Sequence, residues 1–357
     1  MHSTLIVPCA GRSSRFPNNR PKWSLTHPNG NLMLTESLLG LELNNYKEII
    51  FIFISSDLRK NNLKNGIKEA IKKLNVKYRL VILNKRTKSQ SETVAKAIKK
   101  LKIKGSILIK DSDGFFEGKA SKDDVVYVST LNEVGRIHAS NKSFVDPDTN
   151  GFLKTIVEKE VISNYFCCGG YGFSDASDFL KTFNKLTKNI SLKGELYISH
   201  IIYQQILDGK RFKIKKTSNY KDWGTAEEWQ KYTSLYKTIF IDLDGVLVEN
   251  SGEFVGKLWG TTKSLKNNVE FLNKLYDSNK VKIIITTSRK KSFKKQTINQ
   301  LKKYNIKYHE IIFDLMHAQR ILINDFATSN PFPSAKEVNL PRNSDNLKDY
   351  LSENFEK

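Results

Sequence analysis

Two stretches of this chain share one construction: a short apolar run that reads as a buried strand, followed at once by residues suited to phosphate chemistry. Residues 4–9 lead into Ala10-Gly11-Arg12-Ser13-Ser14-Arg15, and residues 238–241 lead into Asp242-Leu243-Asp244-Gly245. Around each, further apolar runs (49–54, 80–83, 107–109 and 125–128; then 281–286, near 311, and 321–323) alternate with Lys-rich helical stretches. Such alternation predicts mainly parallel sheets covered by helices. At 357 residues the chain is about twice a usual domain, so two cores are expected. The strand pattern restarts near residues 235–237, which predicts domains at 1–235 and 236–357. The fold class expected is therefore α/β, a Rossmann-like unit joined to a second Rossmannoid unit. The segment 248–263 is too short for a large cap over the second unit.

An apolar content of 39% with 20 Phe and 14 Tyr is enough for real cores. No apolar run reaches the roughly 18–20 residues of a membrane span, and no leader opens the sequence. The three cysteines, Cys9, Cys167 and Cys168, suit a reducing compartment, so a cytoplasmic location with no membrane partner is expected. A net charge of +22 attracts polyanions, yet only 11 of the 59 basic residues are Arg. A spread of Lys over the whole chain reads as a solvated surface, which makes nucleic acid an unlikely partner. Phosphorylated small molecules are anions too, and the sequence allows a homo-oligomer.

The first loop continues to Phe16 and then Pro21-Lys22. It joins a strand end, a glycine that lets a ligand approach the backbone, and two cations at short range. A triphosphate needs those parts, since backbone N–H groups hold its oxygens while Arg and Lys offset charge on a leaving pyrophosphate. The P-loop and dinucleotide fingerprints are both absent. Residues 1–230 resemble the sugar-phosphate nucleotidyltransferases (pyrophosphorylases). The resemblance implies nucleotide binding by Ala10, Gly11, Arg12 and Ser13, catalytic roles for Arg15 and Lys22, and Mg²⁺ held by Asp113 and Asp222, with Asp111 in reserve for Asp113. It also implies nucleobase contacts by Gln90 and Ser91, the competing reading being a capped helix start, and acceptor contacts by Glu158, Lys159 and Gly170. The chain departs from the family pattern at Lys22-Trp23-Ser24-Leu25 and at His27-Pro28-Asn29-Gly30.

In the second constellation, two aspartates at i and i+2 on a strand end can divide labour, one attacking phosphorus and the other moving protons. With Ile285-Thr286-Thr287-Ser288-Arg289 on a later strand, the pattern resembles the haloacid dehalogenase (HAD) phosphatases. The resemblance implies Asp242 as nucleophile, Asp244 as general acid/base, and Thr287 as hydroxyl donor, with Thr286 the alternative. It places Mg²⁺ on Asp242, Asp244 and Asp325, although Asn324 stands where a first acid would be. No Lys occupies the expected place, so Arg320 or Lys290 would supply the cation.

Together these features predict a bifunctional enzyme of surface-polysaccharide precursor synthesis. One half would transfer a nucleotidyl group from a nucleoside triphosphate, with CTP preferred, to a sugar or polyol phosphate. The other would hydrolyse a related phosphomonoester; the alternative is a catalytically impaired, structural or regulatory HAD domain.

Overall fold

The computed structural model describes residues 3–16, 20–60, 62–134, 141–189, 194–325 and 335–352. The chain divides into two compact units, Met1–Trp229 and Gln230–Lys357.

The first unit is built on a mixed sheet. Its strands are β1 (Ser3–Pro8), β2 (Tyr46–Ile54), β3 (Tyr78–Leu83), β4 (Ile107–Lys110), β6 (Val125–Thr130), β7 (Ser143–Pro147), β8 (Leu153–Glu158), β9 (Tyr165–Phe173) and β10 (Lys213–Lys216), with β5 (Gly114–Glu117) and β11 (Ser218–Asp222) forming a separate pair. The main order is β10-β6-β9-β4-β1-β2-β3. β3, β2, β1 and β4 run parallel, and β9 lies antiparallel to both β4 and β6. The central strands are buried on both faces: Leu5, Ile6 and Val7 are all at 0% exposure, as are Ile107, Leu108 and Ile109. Adjacent residues of these strands therefore feed two apolar clusters, one around Ile6, Ile50 and Ile109 and the other around Leu5, Val7 and Phe51. That explains why the runs look continuously apolar in sequence rather than alternating.

In the second unit β12 (Lys237–Asp242), β13 (Val281–Thr286) and β14 (Glu310–Ile312) form a parallel sheet in that order. Leu243, Leu272, Ile283 and Ile285 centre its core at 0% exposure. The strand expected at 321–323 is not formed. Residues 321–325 have no regular secondary structure, and Ile321 and Ile323 are 78% and 86% exposed. An apolar triplet satisfies a strand pattern, but without hydrogen bonds to a neighbouring strand it does not become one. No helix among the described residues is long and apolar enough to cross a membrane.

Close packing at Gly40 supports the β5 region. A Cβ there would lie 2.1 Å from the Phe116 carbonyl oxygen, while Gly118 N–H donates to Gly40 O at 3.1 Å. Gly40→Ala is expected to lower unfolding free energy by about 2–4 kcal/mol, measured by urea denaturation. Gly11→Ala, whose Cβ would meet nothing within 4 Å, is the near-neutral control.

Candidate active sites of the two units

In the first unit a cavity of about 650 Å³ lies at the carboxyl ends of the parallel strands. Ala10, Gly11, Arg12, Ser13, Arg15 and Lys22 line one part of it, and Asp111, Asp113 and Asp222 another. The loop is pinned from outside. Arg86 Nη1 donates to the Gly11 carbonyl at 2.8 Å, and Arg86 Nη2 pairs with Asp57. Ser13 adopts φ +52°, its carbonyl accepts from Phe16 N–H at 2.9 Å, and its Oγ accepts from Lys22 N–H at 3.2 Å. Gly11 has open space where a Cβ would stand, so internal packing does not demand glycine there; close approach by a ligand would.

The two carboxylates meet through a pairing that links distant segments. β5 and β11 are antiparallel, with Asp222 opposite Gly114, and Trp223 N–H donates to Asp113 O at 3.0 Å. A Cβ on Gly224 would stand 3.1 Å from Asp222 Oδ1, 3.6 Å from Asp113 Oδ2 and 3.8 Å from Arg15 Nη1. Lys22 pairs with Asp113 and Lys142 with Asp222. Burial works against the Asp113 carboxylate, but Lys22, then Arg15 and Lys142, outweigh it and hold its pKa below the ordinary range. Asp222 is not spent as a helix cap. Thr225 caps the following helix, exchanging hydrogen bonds with Glu228 (Glu228 N–H to Thr225 Oγ1 at 3.2 Å, Thr225 N–H to Glu228 Oε2 at 3.0 Å). Asp222 Oδ1 accepts from Gly224 N–H at 3.0 Å, and two carboxylates brought this near one residue suit Mg²⁺, which is held by one or two carboxylates and completes its shell with substrate phosphate and water. Among the described residues no group of three or more His, Cys, Asp or Glu is placed to hold a metal.

Asp111 has a different environment. Its carboxylate accepts from Gln90 Nε2, while buried Lys110 donates to the Asp111 and Gly114 carbonyls at 2.8 and 2.7 Å and so shapes the turn. Burial first, and the Asp113 charge second, push the Asp111 carboxyl up to about 6.

Further along the cavity, Glu158 accepts from Ser143 and, at 2.7 Å, from Ser199. Lys159 donates to Tyr197 Oη at 2.8 Å. Lys142, which also donates to Tyr220 Oη at 2.6 Å, lies between the aspartates and this end. Two expectations are corrected. Ser91 is fully buried and its Oγ donates to the Leu196 carbonyl at 2.6 Å, because the helix Gln90–Leu101 turns Gln90 toward the cavity and Ser91 inward. Gly170 faces the core, where a Cβ would lie 2.7 Å from the Phe116 ring; Gly169 lines the cavity instead. Sequence reasoning missed Arg86, Lys110 and Lys142, whose partners are all set by tertiary contacts.

In the second unit Asp242 ends β12 opposite Thr286 of β13. Asp242 Oδ1 accepts from Leu243 N–H at 2.9 Å and from Arg320 Nη2 at 3.1 Å. Of the two cations expected here, Arg320 stands beside Asp242, whereas Lys290 pairs with Glu253 at 2.8 Å. Asp244 is gripped by Arg289, which is fully buried. Nε and Nη2 each donate at 2.8 Å, Ser251 adds a bond at 2.6 Å, and Gln300 steadies Arg289 Nη1 at 2.8 Å. The sequence motif contains Arg289 but does not show this role. Thr287 is buried and its Oγ1 accepts from Arg289 N–H at 3.1 Å, whereas Thr286 Oγ1 donates to the Ile241 carbonyl at 3.3 Å. The metal set expected on Asp242, Asp244 and Asp325 does not assemble. Among the described residues no such three groups are placed to hold a metal, and Asp325 lies in the exposed irregular segment.

Residues 238–337 match the family described as "HAD domain in Swiss Army Knife RNA repair proteins". The first unit resembles solved structures. One is a nucleoside-diphosphate-sugar pyrophosphorylase from Vibrio cholerae RC9, 21% identical, covering 64% of this chain and 98% of its own, with a TM-score of 0.55. Another is the inositol-1-phosphate CTP transferase from T. maritima, 12% identical, covering 64% and 91%, with a TM-score of 0.51. The chain joins a nucleotidyltransferase-like fold to a HAD-like unit. Comparison with curated proteins gave no match.

The raised Asp111 pKa gives the first site a pH signature. A carboxyl whose folded pKa exceeds its unfolded value of about 3.9 contributes stability fully below that value and loses it as pH rises through about 6. Asp111→Asn keeps an acceptor for Gln90 and removes the charge. It is expected to be more stable than wild type by about 1–2 kcal/mol at pH 7, with the gap closing near pH 4 in denaturant titrations.

Proposed function

We propose that residues 1–235 transfer a nucleotidyl group from a nucleoside triphosphate to a sugar or polyol phosphate. The observation carrying this is the meeting of Asp113, Asp222 and Arg15 around Gly224 within the cavity that the glycine loop also lines. An acceptor phosphate oxygen attacks the α-phosphorus, the bond from that phosphorus to the bridging oxygen breaks, and pyrophosphate leaves. Arg15 and Lys22 neutralise the departing charge, and the N–H groups of the 10–13 loop hold the triphosphate oxygens. Gln90 would contact the nucleobase. Lys159 and Lys142 face the acceptor phosphate, with Glu158 on the acceptor hydroxyls. Mg²⁺ held by Asp113 and Asp222 would supply further charge neutralisation. The inositol-1-phosphate CTP transferase, as one of the structures with this fold, supports CTP and a polyol phosphate, and a cytoplasmic role in surface-polysaccharide precursor synthesis suits such a product.

Residues 236–357 are proposed to hydrolyse a phosphomonoester. Asp242 attacks phosphorus and the ester P–O bond breaks; Asp244, entering the step protonated with one oxygen released from the Arg289 fork, gives its proton to the leaving oxygen and then takes one from the water that splits the aspartyl phosphate. Arg320 offsets phosphoryl charge. A second reading of this unit's substrate is a phosphate at an RNA end, favoured by the description of the family that residues 238–337 match.

Pyrophosphate release should require CTP, a polyol or sugar phosphate and Mg²⁺, and fall at least about 100-fold in Lys22→Ala and in Asp113→Asn. Unchanged rates in both variants would overturn the first assignment. In the second unit, Asp242→Asn should abolish phosphate release from p-nitrophenyl phosphate. Comparing a sugar phosphate with a 3′-phosphorylated oligoribonucleotide at equal concentration separates the two substrate readings by which is cleaved faster. Release from none of the three by the wild type would leave the impaired-domain alternative.

A further inference from the structure

The first unit has a second cavity, of about 440 Å³, at the amino ends of the four parallel strands. Lys47 stands at the start of β2, Lys77 and Arg79 at the start of β3, and Lys102 and Lys104 before β4. A strand of six residues spans about 20 Å, so this cavity and the glycine loop lie at opposite ends of β1. Its one carboxylate is Glu48, 7% exposed, which takes Arg79 Nε at 2.5 Å and Nη2 at 2.6 Å. That fork fixes the guanidinium and leaves Nη1 for another acceptor. Lys47, Lys77, Lys102 and Lys104 have no carboxylate partner among the described residues. Four lysines lining one cavity beside a neutralised pair concentrate positive charge there, and an anion of high charge density offsets it.

We propose that this cavity binds a small anion carrying two or more phosphates, such as inorganic triphosphate or the polyphosphate chain of a nucleotide. Cations supplied from three strand ends suit an anion longer than a single phosphate. A nucleic-acid strand is disfavoured, because no aromatic ring lines the cavity to stack a base. The proposal is independent of the catalytic assignment at the other end of the sheet.

The test is calorimetric titration of inorganic triphosphate into the full chain carrying Arg15→Ala and Lys22→Ala, which weakens the first cavity. One micromolar-range event that weakens with added salt is expected. Adding Lys47→Gln, Lys77→Gln, Lys102→Gln and Lys104→Gln should weaken it roughly tenfold or more. Replacing four exposed lysines elsewhere (Lys60, Lys64, Lys68 and Lys73, each to Gln) removes the same charge and should change affinity less than about twofold. Equal losses in the two sets would show a general charge effect and overturn the proposal, as would no binding in the parent. Single-stranded RNA binding that depends on the first four lysines, with triphosphate binding that does not, would overturn it in favour of a nucleic-acid surface. All eight lysines are exposed, and unchanged denaturation midpoints would confirm that each variant folds.

Discussion

The first site depends on placing two carboxylates close together in a partly buried position without letting them push the chain apart. Asp113 and Asp222 reach one point only because β5 and β11 pair, and like charges at that distance in a low-dielectric surrounding are unfavourable unless cations stand beside them. Lys22 and Lys142 meet that requirement, one from the glycine loop and one from the segment before β7. The same pair of contacts ties the proposed triphosphate end of the cavity to the proposed acceptor end. Lys110 completes the frame by holding two carbonyls of the turn that carries Asp111 and Asp113.

The choice of basic residue follows a rule through both units. This chain uses Lys by default, and several of its few arginines stand where two donors must be fixed in a plane. Arg289 spans Asp244, Arg79 spans Glu48, and Arg86 joins the Gly11 carbonyl to Asp57. In a Lys-rich composition an arginine is therefore a usable signal, and it would have drawn attention to Arg86 and Arg289 from the sequence alone. Lys110 and Lys142 carry no such mark, since nothing local separates them from the lysines on the surface.

The local motifs were readable because each is contiguous. The loop from Ala10 to Arg15 and the pair Asp242 and Asp244 each follow a strand end, and strand-end residues of a parallel sheet project into a shared crevice. Errors came where a neighbour's orientation decided the outcome. Ser91 and Gly170 each adjoin a cavity-lining residue, and one step along a helix or strand turned them inward. The apolar triplet at 321–323 shows the same limit for a strand, since pairing depends on a partner edge that hydrophobic pattern does not specify.

Sequence alone determined the α/β class, the two loops at strand ends and the acidic residues near each, because strand burial and strand-end chemistry are properties of short contiguous segments. Tertiary structure decided which carboxylates meet, which cations stand beside them and which hydroxyls are left facing a cavity. Those depend on contacts between segments far apart in the chain: Asp113 and Asp222 come together through strand pairing, and Arg289 reaches Asp244 across 45 residues, so no local pattern encodes either meeting.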